Sequence, residues 1–156
     1  MKLDRIDRKI IAVLMADATV PLARLSHEVG LTQTPCWKRV RKLQEAGVIR
    51  ARVALVDPEH LGLGLTAFAG VSAPDQGAEW HRRFAAVLED IPEVMEAYRL
   101  TGSQDYVLRI VARDMADFER IRSGLTEAIP IRDLTTSFAL QRLKSETALP
   151  VDTRTA

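Results

Sequence analysis

PLARLSHEVGLTQTPCWKRVRKLQEA, residues Pro21 to Ala46, consists of two short amphipathic segments joined at Gly30. In the first segment Leu22, Leu25 and Val29 recur at spacings of three and four, which on a helix of about 3.6 residues per turn line one apolar stripe. Gly30 tolerates a left-handed backbone and closes that segment, and Leu31 behind it plugs the angle between two helices. Thr32 then offers a hydroxyl to cap the second. Cys36, Val40 and Leu43 turn inward, whereas Lys38, Arg41 and Gln44 or Glu45 turn outward. Pro35 is tolerated because it falls in the first helical turn, where its missing amide proton has no partner to lose. The stretch therefore predicts a helix-turn-helix with Thr32, Gln33 and Thr34 at the tip of a cationic second helix.

The charge of the whole chain hides this feature. Its 156 residues carry a net charge of only +1, but residues 1–60 hold 11 Lys plus Arg against 7 Asp plus Glu, and residues 61–156 hold 11 against 14. Between Trp37 and Arg52 there are six basic residues and one acidic residue, Glu45. Such local positive charge is the footprint of one module that meets phosphate beside another that does something else. In helix-turn-helix units the tip of the second helix reaches base edges and the basic residues behind it contact phosphate. The DNA-contact candidates are Thr32, Gln33, Thr34, Trp37, Lys38, Arg41 and Lys42, with Arg52 just downstream. Trp37 has two readings, packing beside the first helix or lying against the DNA backbone, and is counted with the contacts. Cys36 shares the apolar stripe and reads as a core residue rather than a sensor thiol.

Outward from this unit, Ile6, Ile10, Val13 and Leu14 place a first helix over residues 4–16, with Asp4 or Asp7 to cap it. Pro21 is expected at the first position of the next helix. Beyond Gly47, the alternation from Val48 to Val56 predicts a short β-ribbon or wing with Arg50 and Arg52 on one face. Asp57-Pro58 breaks it, and Gly62 and Gly64 mark a linker. The expected domains are 1–60, helix-turn-helix with its ribbon; 61–145; and a loose tail over 146–156.

The second module reads β, α, β, β, α, β. Strands are expected over residues 65–72, 94–100, 106–112 and 134–143, helices over 78–89 and from Asp114 to about Ile129, and a turn TGSQD at 101–105. Each half is a strand, a helix and an Ile-Pro exit, Ile91-Pro92 in one and Ile129-Pro130 in the other. This split repeat predicts an α+β protein, a winged helix-turn-helix followed by a ferredoxin-like βαββαβ domain with both helices on one sheet face. The other face lacks a third layer, so a second copy is its expected cover, in a homodimer built sheet against sheet.

Several classes are disfavoured. The charged N-terminus lacks the apolar core of a signal peptide, and no run approaches the roughly 18 apolar residues of a membrane span, so a cytoplasmic protein with no membrane partner is expected. The single cysteine cannot form an internal disulfide. His27, His60 and His81 are scattered without metal-ligand spacing, so neither metal nor cofactor is expected. Asp105 and Tyr106 have no accompanying nucleophile, phosphate loop or second carboxylate, so no catalytic residue is assigned and an enzyme is not expected.

DRIDRKI, then LSHEVGLTQTPCWKRVRKLQEAGVI and VALVDP, resembles the DNA-binding half of the Lrp/AsnC family of leucine-responsive, feast/famine transcription regulators. TGSQDY resembles that family's Gly-x-x-Asp-Tyr turn, and the likeness covers roughly residues 3–145. It implies double-stranded DNA as partner, dimers that assemble to tetramers or octamers, and an amino-acid effector near dimer contacts beside the turn. Mapped here, that turn comprises Thr101, Gly102, Ser103, Gln104, Asp105 and Tyr106, with hydroxyls of Thr135, Thr136 and Ser137 from the last strand. Gly102 permits close approach, exposed amides suit a carboxylate, and Asp105 suits an ammonium. Ser103 and Gln104 depart from the acidic or aromatic residues frequent after the glycine. TPCWKR, DPEHLGLGLTAF, SAPDQGAEWHRRF and TTSFALQRLK are most similar to the family's cysteine-responsive branch, which implies L-cysteine as effector. Two other classes are kept beside this one: an architectural DNA protein without effector, and a small amino-acid-binding or catalytic module in which the N-terminal part only mediates association.

Overall fold

Asp4 starts the first helix as its N-cap. Its side chain accepts a hydrogen bond from the Asp7 amide at 2.8 Å, and the Asp7 side chain accepts one from the Asp4 amide at 3.2 Å. This reciprocal pairing satisfies two amides that a helix start leaves without partners. In the computed structural model, which describes residues 1–75 and 77–154, helix α1 then runs Arg5–Ala16, α2 Leu22–Val29 and α3 Gln33–Glu45. Gln76 and residues 155–156, which the resemblance and the expected tail include, lie outside the described residues. Pro21 is the N-cap of α2 rather than its first residue, and Gly30 is left-handed at φ 74° and ψ 36°, as the tight turn demands. Leu31 packs against the core formed by Ile10, Leu14, Leu25, Val29, Cys36 and Leu43. Thr32 holds the cap position of α3, but its side chain makes no capping hydrogen bond.

The expected wing is absent. Residues 50–57 carry no strand, and Val53, Leu55 and Val56 are exposed. Alternation describes an extended chain, whereas a strand exists only when a second segment accepts and donates the ladder bonds; no described segment of this chain does so here. Downstream, Asp57 caps a 3-10 turn at Pro58–Leu61 by accepting from the Glu59 amide at 3.1 Å.

By its contacts the chain divides into residues 1–55 with 143–154, and residues 56–142. This differs from the boundaries expected at 60 and 145, and it puts most of the tail with the first unit. The second unit contains β1 Leu65–Ser72, α4 Ala78–Glu89, β2 Val94–Arg99, β3 Tyr106–Ala112, α5 Met115–Ala128 and β4 Asp133–Phe138. Its sheet has the order β2-β3-β1-β4 with antiparallel neighbours, the ferredoxin-like arrangement. Ala67, Ala69 and Val71 of β1 and Leu108 and Ile110 of β3 pack against Phe84 of α4 and Phe118 of α5, so both helices cover one face. Trp80 of α4 donates its indole N–H to the Pro130 carbonyl at 2.7 Å, tying the helix to the segment that enters β4. The last strand ends at Phe138, five residues short of the expected Leu143.

At the start of α5, Asp114 caps the helix by accepting from the Asp117 amide at 2.8 Å. The Asp117 carboxylate is nearly buried between Arg113 and Arg120. Hydrogen bonds from the Arg113 side chain, the Arg113 amide and Arg120 hold it well below the usual carboxylate range. A carboxyl depressed in the folded state stabilises the fold fully above its unfolded value, about 3.9, and loses that contribution as pH falls further. Asp117→Asn is therefore expected to lower stability at pH 7 by an amount that shrinks steadily below about pH 4. Urea unfolding of both proteins between pH 7 and pH 3 checks this; an equal deficit at every pH would assign the loss to something other than charge.

Candidate functional site

Helix α3 separates two kinds of side chain because its seam, Cys36, Val40 and Leu43, is buried against α1 and α2. Thr32, Gln33, Thr34, Trp37, Lys38, Arg41 and Lys42 are all exposed. Arg41 is paired with Glu45 at 2.7 Å, and its guanidinium lies 5.5 Å from the Trp37 ring centroid. Both partners of that ion pair are well exposed, so the pair is weak and a phosphate can compete for the arginine. Trp37, 47% exposed, stands at the edge of the seam rather than within it. Arg52 is not on a wing; it lines a hollow of about 320 Å³ with Trp37, Gln44 and Val40. Burial pushes the Cys36 thiol up, which keeps it protonated and inert, as a core residue should be.

The turn between β2 and β3 is fastened to the end of β1. The Asp105 amide donates to the Val71 carbonyl at 3.0 Å and the Leu100 amide to the Asp105 carbonyl at 2.8 Å. The Asp105 carboxylate accepts from the amide of buried Ala73 at 2.8 Å. Its first task is thus to hold the turn. Thr101, Gly102 and Ser103 are exposed, and Gly102 has a φ of 156°, a conformation that favours glycine.

The remaining candidates fall on different faces. Gln104 lies over Gly70 of β1 and donates to the Thr135 hydroxyl. Thr135 pairs with Gly70 and Ser137 with Phe68, all on the face that no helix covers. Thr136 pairs with Ala69 and therefore points to the helix-covered face, away from its two neighbours. Tyr106 also points that way: its hydroxyl lies 2.8 Å from His81 Nδ1, and Arg99 meets His81 Nε2 at 3.2 Å. The open face holds Gln104, Thr135 and Ser137 together, beside exposed Phe68 and Tyr98 and the Arg109–Glu96 pair at 2.6 Å. Arg109 also holds the Glu96 carboxylate below its usual range. Sequence reasoning overlooked Gly70, whose signal was a glycine inside a strand, and His81, for which helical periodicity names no partner on the sheet. Among the described residues no group of three His, Cys, Asp or Glu is placed to hold a metal ion, and no helix is long and apolar enough to cross a membrane.

Residues 3–44 match the model of the AsnC-type helix-turn-helix domain, and residues 66–149 match that of the Lrp/AsnC ligand binding domain. The chain belongs to the Lrp/AsnC family. Within this family it is 41% identical over 151 residues to the DNA-binding transcriptional activator DecR of Escherichia coli K12, covering 96% of this chain and 99% of the relative. An AsnC family transcriptional regulator from Agrobacterium tumefaciens superposes with a TM-score of 0.90 at 42% identity, covering 95% of this chain and 97% of that one. A transcriptional regulator from Neisseria meningitidis, in complex with L-Met, superposes at 0.89 with 35% identity, covering 96% and 97%. These Lrp/AsnC relatives are named as regulators of transcription, not as enzymes. The α+β architecture expected from periodicity is that of the family; the wing is the exception.

Proposed function

We propose that the protein is an amino-acid-responsive transcription regulator that binds double-stranded DNA through α3 and takes its effector at the turn of residues 101–106. The observation that carries this reading is the exposed face of α3, Gln33, Thr34, Trp37, Lys38, Arg41 and Lys42, set on a buried apolar seam in a chain that also has a ligand-binding module. Gln33 and Thr34 reach base edges; Lys38, Arg41 and Lys42 meet phosphate, with Arg52 beside them. The effector carboxylate is taken by amides near Gly102 and the hydroxyls of Thr135 and Ser137, and its ammonium by Asp105. The Neisseria relative with bound L-Met supports an amino acid as ligand class; the resemblance to the cysteine-responsive branch favours L-cysteine. A second copy covers the open sheet face, on which Phe68 and Tyr98 are exposed, and such dimers assemble further to tetramers or octamers. Effector binding then favours one assembly, and by linkage DNA alters effector affinity in return.

The test uses the full chain and footprinting of the DNA around its own gene, with calorimetric titration of all twenty amino acids. Protection of a discrete site, altered by one amino acid and first by L-cysteine, is expected. Protection indifferent to sequence and to every amino acid would identify an architectural DNA protein instead. Asp105→Asn is expected to abolish the amino-acid response while keeping an acceptor for the Ala73 amide. Asp105→Ala loses the response as well and leaves that buried amide unsatisfied, costing a further ~1–3 kcal/mol of stability. A normal titration of Asp105→Asn removes Asp105 from the ligand site.

A further inference from the structure

Four basic residues of α3 fall within five positions, Lys38, Arg39, Arg41 and Lys42, and one of them is turned away from the rest. Arg39 Nη1 donates to Asp4 Oδ2 at 2.6 Å and to Asp7 Oδ1 at 2.8 Å. Its side chain is 33% exposed, against 61% for Arg41. The two carboxylates are the same pair that caps α1. A single guanidinium therefore joins the cap of α1, its first turn and the middle of α3. Two negative charges against one positive leave no surplus for phosphate. The Asp7 amide and Arg39 together hold Asp4 below its usual range, and Asp4 and Asp7 push Arg39 up.

The apolar seam decides which face of α3 turns inward, but the hydrophobic force behind it is non-directional and leaves the finer rotation of the helix to polar contacts. A charge-assisted bond to two separate acceptors is directional. We infer that Arg39 is a positioning residue, which sets the rotation of α3 on α1 and hence the direction in which Gln33, Thr34 and Lys38 face DNA, without contacting DNA itself. This inference rests on α3 being the DNA helix.

The test measures binding of the full chain to a duplex that the unsubstituted protein selects from a randomised pool, across a range of salt. Arg39→Gln is expected to bind about three- to tenfold more weakly with an unchanged slope of log affinity against log salt. A slope reduced by about 0.9 identifies a phosphate contact and overturns the inference, as does unchanged affinity. Asp4→Asn decides by sign and serves where Arg39→Gln fails to fold, since it keeps a capping oxygen at the exposed end of the joint. Removing an acidic charge from a DNA-binding unit tightens binding if only long-range charge matters. Positioning requires about two- to threefold weaker binding instead, and tighter binding of Asp4→Asn overturns it. If the unsubstituted protein selects no duplex, the DNA reading of α3 falls and this one with it; a normal selection with unaltered variants sinks this one alone.

Discussion

Replacing Lys38, Arg41 and Lys42 together by glutamine will reduce DNA affinity by about a thousandfold per protomer near 0.1 M salt and flatten the salt dependence. Each lysine or arginine that meets a phosphate releases about 0.9 counterion, so three contacts contribute about 2.7 to the slope of log affinity against log salt. At a tenfold dilution below 1 M, that slope corresponds to roughly ten per contact. Arg41 forms an ion pair with Glu45 and lies over Trp37, so its share includes breaking a weak surface pair, which costs well under 1 kcal/mol. All three side chains are exposed and none lies in the seam formed by Cys36, Val40 and Leu43. Folding should therefore survive, and helical circular dichroism should be unchanged. Arg82→Gln, at an exposed arginine of α4 in the other unit, removes one charge away from α3 and should leave the slope as it is. A triple variant with the original slope would show that phosphate is met elsewhere.

Phe84→Ala will destabilise the second unit by about 3–5 kcal/mol, the range for emptying a large aromatic site in a packed core. Phe84 is 1% exposed. Its ring stacks on Trp80 at 4.8 Å with 17° between planes, and Tyr106 lies 4.8 Å away on another side. The rings around it are anchored: Trp80 donates to Pro130 and Tyr106 meets His81. They cannot close over a missing phenyl group without breaking those bonds, so the cavity persists. A domain has about 5–15 kcal/mol to lose, so the effect is a large part of the whole. The chain has two tryptophans, Trp37 in the first unit and Trp80 in the second. Urea unfolding followed by Trp80 fluorescence in a Trp37→Phe background reports on the second unit alone. A loss below about 1 kcal/mol would mean that the surrounding rings collapse into the space.

Elements whose signal is local were legible in the residues. Helix α3 could be read from Cys36, Val40 and Leu43, the turn from Gly30 and Leu31, and α5 from Asp114, because cap, turn and stripe are each set within a few positions. The four-stranded sheet followed from the repeated Ile-Pro exits. What failed depended on a partner elsewhere. Val48 to Val56 alternates, yet no described segment lies beside it to make a ladder. Thr136 was grouped with Thr135 and Ser137 by composition, although a period of two separates it from both. Asp105 suited an ammonium by type, and its bond to the Ala73 amide, 32 residues away, has no local signature. Arg39 is the same case: nothing near it announces Asp4 and Asp7.

Gly70 has a historical implication. A methyl group at that position would occupy the space now filled by the Gln104 carboxamide and drive it off Thr135. A lineage that acquires any side chain at 70 while keeping glutamine at 104 loses the bridge in one step. A lineage that first shortens residue 104 has already lost the bridge and can then fill position 70 without a clash. Either order gives up the bridge at its first step, so position 70 stays without a side chain only for as long as the contact between Gln104 and Thr135 is kept.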